Sequence, residues 1–234
     1  MNYILVHGAW HGGWCWERVR VELEATGNKV YTPTLTGLGE QAHLLSKEVG
    51  LETHVGDILD LIESENLNDV ILVGHSYAGI IVTLLTERVP KKLARIIYLD
   101  AIVPRSGQCF LDCIGSEFRS YIESQVEQYG DGWKVPVVSK KVFGLESDED
   151  INWVMSKLVS HPYQTFIEPV YLESQNELKV PTSYINCIGD KPRGGLRSVQ
   201  AEGIDDYYEL ETSHDAMVTA PIAVAELIQK ISIV

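Results

Sequence analysis

Basic residues are scarce in this 234-residue chain: Lys and Arg total 19 against 33 for Asp and Glu, a formal net charge of −14. A surface this acidic repels phosphate backbones and anionic lipid, so neither nucleic acid nor membrane is an expected partner. Cysteine is sparse as well. Cys15, Cys109, Cys113 and Cys187 are scattered and lack the paired spacing of a metal site, so no metal is expected. They read as buried free thiols of a reducing compartment rather than as a disulfide framework. Membrane-length apolar runs, internal repeats and low-complexity stretches are missing too. Met1 to Val6 enters a strand-like run with no basic leader, which makes the cytoplasm the expected compartment. What remains is a chain with 45% hydrophobic and 22% charged residues, suited to one globular domain with room for an inserted lobe.

The first hundred residues alternate strand and helix signals. Tyr3 to Val6 is a short apolar strand, and a helix follows from about Trp14 to Ala25, closed by Thr26-Gly27-Asn28. Lys29 to Tyr31 is a second strand. A helix over Thr53 to Glu65 puts Val55, Ile58, Leu59 and Ile62 on one face. Val70 to Val73 is an unbroken apolar strand of the kind buried on both faces of a parallel sheet. A helix from Tyr77 to Val89 stops at Pro90, and Ala94 to Leu99 is the next strand. From 104 to 178 the rhythm breaks into a mainly helical, aromatic-rich stretch. Strand and helix then alternate again over Thr182 to Ile188, Leu196 to Ala201, Tyr207 to Leu210 and Pro221 to Ile231. This order fits a doubly wound, mostly parallel sheet, with 1–103 and 179–234 as core and 104–178 as an inserted helical lid.

The most informative stretch is Val70-Ile71-Leu72-Val73-Gly74-His75-Ser76-Tyr77-Ala78-Gly79. A serine on a tight turn between a buried strand and a helix is held with its hydroxyl above the sheet. Residues two before and two after it nearly touch and must be small, which Gly74 satisfies and Ala78 nearly so. The plainer alternative is Ser76 as a helix N-cap. A serine needs a base, and sheets that carry such an elbow supply their triad in the order Ser, acid, His. Of the seven histidines only His161 and His214 follow Ser76. His161 lies within the lid segment, whereas His214 sits in the loop between the last strand and the last helix, and His214 is the expected base. For the acid, Asp190 ends the strand Ser183 to Ile188 and is favoured. Asp100, at the end of the Ile96 to Leu99 strand, is its rival on the same rim of the sheet. The oxyanion hole requires two fixed N–H groups. The amide of Tyr77 is one candidate and that of Ala9, in His7-Gly8-Ala9-Trp10-His11-Gly12-Gly13-Trp14, is the other. His7 is read as a brace for this loop. His11, Trp133, Phe143 and Trp153 are candidate pocket residues, and for the lid aromatics ordinary packing is an equal reading.

The loop from His7 to Trp16, the Gly74-His75-Ser76 elbow, Cys187-Ile188-Gly189-Asp190-Lys191 and Ser213-His214-Asp215-Ala216-Met217 together resemble the hydroxynitrile lyase and plant methylesterase branch of the α/β-hydrolases. Bacterial esterases of that branch are similar through Thr34-Leu35-Thr36-Gly37-Leu38-Gly39-Glu40. The resemblance implies the α/β-hydrolase fold, a triad of Ser76, Asp190 and His214, and a mostly apolar pocket under the lid. It further implies hydrolysis of small carboxylic esters without a cofactor. Lyases of the branch carry a lysine two residues after the catalytic histidine and a threonine after the first loop histidine. Ala216 and Gly8 stand at those positions and point toward ester hydrolysis. Lyase chemistry with the same triad as general base, and a non-catalytic small-molecule sensor, are the alternatives. The expected partner is a small ester, and symmetry base rates make a homodimer the default assembly.

Overall fold

Four apolar runs that cannot be solvated on either face assemble into the middle of one sheet. In the computed structural model, which describes residues 1–173, 179–189 and 203–233, these are β1 (Asn2–Val6), β3 (Val70–His75), β4 (Leu93–Leu99) and β7 (Thr182–Cys187). Short β2 (Lys29–Tyr31) and alternating β8 (Asp206–Leu210) form the edges, where one face meets water. The order is β2-β1-β3-β4-β7-β8, and every neighbouring pair is parallel. All six residues of β3 are buried, with Leu72 paired to Ile4 on one side and Ile96 on the other. The chain runs outward from β1 to β2, then returns to lay β3 on the other side of β1. Strand ends at such a reversal form a crevice, and the loops after β1 and β3 open into it.

Helix α1 (Glu17–Ala25) packs with α9 (Pro221–Ser232), and α2 (Leu51–Ser64) with α3 (Ala78–Arg88). A 3₁₀ turn over Gly13–Trp16 precedes α1, so the helix expected from Trp14 starts with a tighter first turn. In α2, Leu51, Val55, Ile58 and Ile62 form the buried stripe, while Leu59 is only partly covered. Helix α3 differs: Ala78 through Leu85 are all buried, because this helix lies under other elements all round. Each fully buried Ile or Leu there contributes roughly 1.5–3 kcal/mol. All four cysteines are free thiols, three of them buried. No helix among the described residues is long and apolar enough to cross a membrane. The helix expected at Leu196 to Ala201 lies outside the described residues.

Between β4 and β7 the chain leaves the sheet and builds α4 (Phe110–Cys113), α5 (Ser116–Tyr129), α6 (Asp148–Met155) and α7 (Gln164–Ile167). The two-residue strands β5 (Lys134–Val135) and β6 (His161–Pro162) pair antiparallel within the same excursion. It is therefore less helical than its sequence suggests. Two of its helices are single turns, held by aromatic packing: the Phe110 and Phe166 rings lie 4.2 Å apart across the α4–α7 contact.

Six of the seven histidines are buried, and only His43 is exposed. Two of the six, His7 and His161, have partners that require a neutral ring, and burial keeps His54 neutral as well. His7 Nε2 accepts from the Leu35 amide at 3.1 Å, so Nδ1 carries the proton given to the Gly8 carbonyl at 2.8 Å. His54 donates from Nε2 to the Thr36 carbonyl at 2.9 Å and accepts the Tyr77 hydroxyl on Nδ1 at 2.9 Å. His161 accepts the Trp10 amide on Nδ1 at 3.3 Å and donates from Nε2 to Thr165 Oγ1 at 2.8 Å. Burial lowers the pKa of His7 to about 3, that of His54 to about 4 and that of His161 well below its usual value. A base whose folded pKa is depressed stabilises the fold above its unfolded pKa and loses that contribution as pH falls toward the folded value. The unfolded chain takes up about three protons near pH 6.5 that the folded chain refuses until pH 4 or lower. Stability should therefore fall at up to about 4 kcal/mol per pH unit within that window. Calorimetry across pH 7 to 4 checks this, with a steep decline in Tm below pH 6.5 expected; a flat Tm from pH 7 to 5 would refute the neutral-histidine arrangement.

Candidate active site

Ser76 follows the last residue of β3 and has φ of 54°, in the left-handed region that non-glycine residues seldom occupy. Its backbone is pinned from both sides: its amide donates to the Leu99 carbonyl at 3.3 Å, and its carbonyl accepts from Gly79 at 3.2 Å and Ile102 at 3.0 Å. A methyl group on Gly79 would sit 2.0 Å from the Ile102 carbonyl oxygen. The strictest size limit after the serine thus falls on Gly79, one residue later than expected, and the buried Ala78 is accommodated. One on Gly74 would come within 2.9 Å of both Val82 methyls, as the tight elbow requires. Ser76 is not a helix cap. Tyr77 holds that position without a side-chain capping bond, and Ser76 Oγ lies 2.9 Å from His214 Nε2.

His214 sits between β8 and the short helix α8 (Ala216–Thr219), on a loop whose position is set by His75: His75 Nε2 donates to the His214 carbonyl at 2.9 Å. The other ring nitrogen of His214, Nδ1, lies 2.7 Å from Asp100 Oδ2, and both side chains are almost fully buried. This puts Asp100, the rival candidate, beside His214. Nδ1 has one proton to give and Asp100 receives it, whereas Asp190 lies outside the described residues. The cause is strand adjacency. Asp100 directly follows β4, which pairs with β3 so that Leu99 stands opposite His75; the strand before Asp190 is one place further out. The Asp100 amide donates to the Ile185 carbonyl of β7 at 2.8 Å, which anchors the turn.

The loop after β1 brings backbone to Ser76. A methyl on Gly8 would lie 2.9 Å from His75 Nδ1 and 3.0 Å from Ser76 Cβ, so only glycine allows this approach. His7 braces the loop through Gly8 and Leu35 as expected. Carbonyl and N–H point opposite ways in a trans peptide, so fixing the Gly8 carbonyl toward His7 turns the Ala9 N–H away from it. Neither the Ala9 nor the Tyr77 amide donates to a backbone carbonyl outside regular elements among the described residues.

A cavity of about 320 Å³ opens above Ser76. His11 and Phe143 line it, as expected, but Trp133 and Trp153 do not. Trp153 packs edge-on against Trp14 at 5.3 Å with the Arg18 guanidinium 4.7 Å from its ring, and Trp133 is covered by Lys134. The wall is instead built by Ile102, Phe110, Ile114, Phe118 and Val142. Phe110, Ile114 and Phe118 recur every four residues across the α4–α5 junction, a stripe that the sequence carried. His11 presents its ring to the cavity, while Nδ1 lies 2.8 Å from the Ala9 carbonyl and Nε2 3.1 Å from Asp215 Oδ2. His75, His214 and Asp215 place ligand-type atoms within 4.8 Å of one another. A cation there would have to take His214 away from Asp100 or Ser76, so these residues suit proton transfer better than metal binding.

A model of the alpha/beta hydrolase family matches residues 3–227. The chain is 33% identical to a carbendazim hydrolyzing esterase of Nocardioides sp. (strain SG-4G), over 96% of this chain and 97% of that protein. It is 28% identical to salicylic acid-binding protein 2 of Nicotiana tabacum, over 94% of this chain and 92% of that one. Among solved structures, an extracellular α/β-hydrolase from a Paenibacillus species superimposes with a TM-score of 0.89 at 24% identity, covering 98% of both chains, a likeness of fold. A family match across nearly the whole length, with the elbow and the base loop where the fold places them, shows that this chain belongs to the α/β-hydrolase family.

Proposed function

We propose that the chain is a carboxylic ester hydrolase that works through an acyl-enzyme, with Ser76 as nucleophile, His214 as base and Asp100 as the acid that orients it. The observation that carries this reading is the continuous Asp100–His214–Ser76 hydrogen-bond chain at the floor of an apolar cavity. Asp100 accepts the Nδ1 proton, which leaves Nε2 unprotonated and facing Ser76 Oγ. Ser76 attacks the ester carbonyl as His214 takes its proton. The amides of Ala9 and Tyr77 receive the oxyanion, and His214 returns the proton to the departing alcohol. Water then repeats the sequence on the acyl-enzyme and frees the acid.

Substrates are small esters with a largely apolar acyl part, because the wall over Ser76 is aromatic and aliphatic. The relative named as a carbendazim hydrolyzing esterase supports ester hydrolysis as the reaction class. Ala216, two residues after His214, is fully buried and apolar, so no cation stands where a lyase of this branch would need one. Residues 104–178 act as the lid and supply most of the wall, with 1–103 and 179–234 as the catalytic core.

Hydrolysis of a p-nitrophenyl ester series is the direct test. Ser76→Ala should lower kcat by at least about 10³-fold with the fold intact by circular dichroism. Persistence of saturable activity in that variant would sink the assignment. Asp100→Asn should cost about 10³- to 10⁴-fold through the wrong histidine tautomer, whereas Asp190→Asn should stay within about twofold of wild type. The reverse ranking would restore Asp190 as the acid. For the wall, Ile114→Trp should move the chain-length optimum to shorter acyl groups, each excluded methylene being worth about 0.8 kcal/mol, or roughly fourfold in kcat/KM. Trp133→Ala and Trp153→Ala should leave that optimum in place.

A further inference from the structure

Trp10 has φ of 66°, a left-handed conformation that a bulky side chain seldom holds. Such a residue persists only where its surroundings over-determine it, and here they do. The carbonyl just before Trp10, that of Ala9, lies 2.8 Å from His11 Nδ1. The Trp10 amide donates to His161 Nδ1 at 3.3 Å, and its carbonyl accepts from the Val159 amide at 3.1 Å. The indole N–H donates to the Val135 carbonyl at 3.2 Å, with the ring edge-on to Phe143 and Phe166. The peptide between Ala9 and Trp10 is thus gripped at its oxygen by one buried histidine and at its nitrogen by another.

We infer that His11, held by Asp215, and His161 are positioning residues that align the Ala9 amide for the oxyanion, a role that rests on the esterase reading above. The proton count supports it. His161 must keep Nδ1 bare to accept the Trp10 amide, so its proton sits on Nε2, facing Thr165 Oγ1, which passes its own to the Pro162 carbonyl. His11 faces acceptors with both nitrogens, the Ala9 carbonyl and the Asp215 carboxylate, so the His11–Asp215 pair holds one proton more than a neutral ring with an ionised acid. With both nitrogens committed, His11 offers substrate only its ring. Asp215 is fully buried and directly follows His214, so the same pair ties the oxyanion loop to the loop that carries the base. Val135, Val159 and His161 all belong to the excursion between β4 and β7. The hole is therefore assembled on the core but held in shape by the lid.

An oxyanion donor acts in the transition state and hardly at all on bound ester, which separates this role from wall packing. His11→Phe and His161→Leu should each lower kcat about 10- to 100-fold with KM within about threefold. Both should weaken, by a similar factor, an alkyl boronic acid, whose adduct with Ser76 is tetrahedral and anionic. His11→Asn, which retains a donor near Nδ1, and His161→Asn, which retains an acceptor there, should recover most of both losses. Where His161→Leu fails to fold, Thr165→Val removes the Nε2 partner while keeping side-chain volume and should show the same pattern in smaller size. Raised KM with unchanged kcat, or a kcat loss with no loss of boronate affinity, would overturn the assignment. If Ser76→Ala abolishes turnover while His11→Phe keeps wild-type kcat and boronate affinity, only the positioning role falls; turnover that survives Ser76→Ala removes the esterase reading itself.

Discussion

Everything at this site depends on a serine held in a left-handed conformation at the end of a strand that is buried along its whole length. That conformation is unfavourable by itself, and the hydrogen bonds to Leu99, Gly79 and Ile102 hold it. Two of these partners, Leu99 and Ile102, flank Asp100, so the turn that presents Ser76 is fastened to the turn that presents Asp100. The separation between hydroxyl and carboxylate is then a property of the sheet, and His214 has only to bridge it. This explains why His214 can come from a loop more than a hundred residues away while its two partners come from adjacent strand ends.

How much of this was legible in the sequence follows from which contacts are local. The Gly74-His75-Ser76 turn is written in consecutive residues, and so is the loop at His214 between a strand and a helix. The carboxylate that meets His214 was harder to read, since Asp100 and Asp190 both lie between Ser76 and His214 in the chain. What separates them is that β4 is laid directly beside β3, a pairing between strands rather than a property of either strand. The size limit at Gly79 was hidden for the same reason, since the atom that enforces it belongs to Ile102.

The cavity wall shows a second kind of limit. Of the excursion aromatics named from the sequence, Phe143 faces the cavity while Trp133 and Trp153 do not. Trp133 and Trp153 find cationic and aromatic partners at the outer side, where an amphipathic ring with an N–H is well placed. The smaller stripe of Phe110, Ile114 and Phe118 turns inward. Its four-residue spacing is helical, but the elements it spans are a single turn and a separate helix, joined through Gly115. A periodic signal interrupted in this way is weaker than the simple count of tryptophans.

The histidines connect these threads. Seven in one chain would suggest a surface rich in titrating groups, yet six are buried, and only His214 lies within reach of the Ser76 hydroxyl. His7, His54 and His161 serve as polar pins: a neutral imidazole offers one donor and one acceptor about a ring's width apart, in a body apolar enough to pack in a core. His7 and His161 use that pairing on successive peptides of the oxyanion loop, and His54 uses it to tie the Tyr77 hydroxyl to the Thr36 carbonyl. Such pins are rigid only while neutral, which links the acid limit of the fold to the shape of its site. His11 departs from the pattern because its second partner is a carboxylate, and that difference places a histidine with two acceptors beside the His214 loop. The same side-chain type thus fixes the loop, joins lid to core and bridges Asp100 to Ser76, with partner chemistry deciding which.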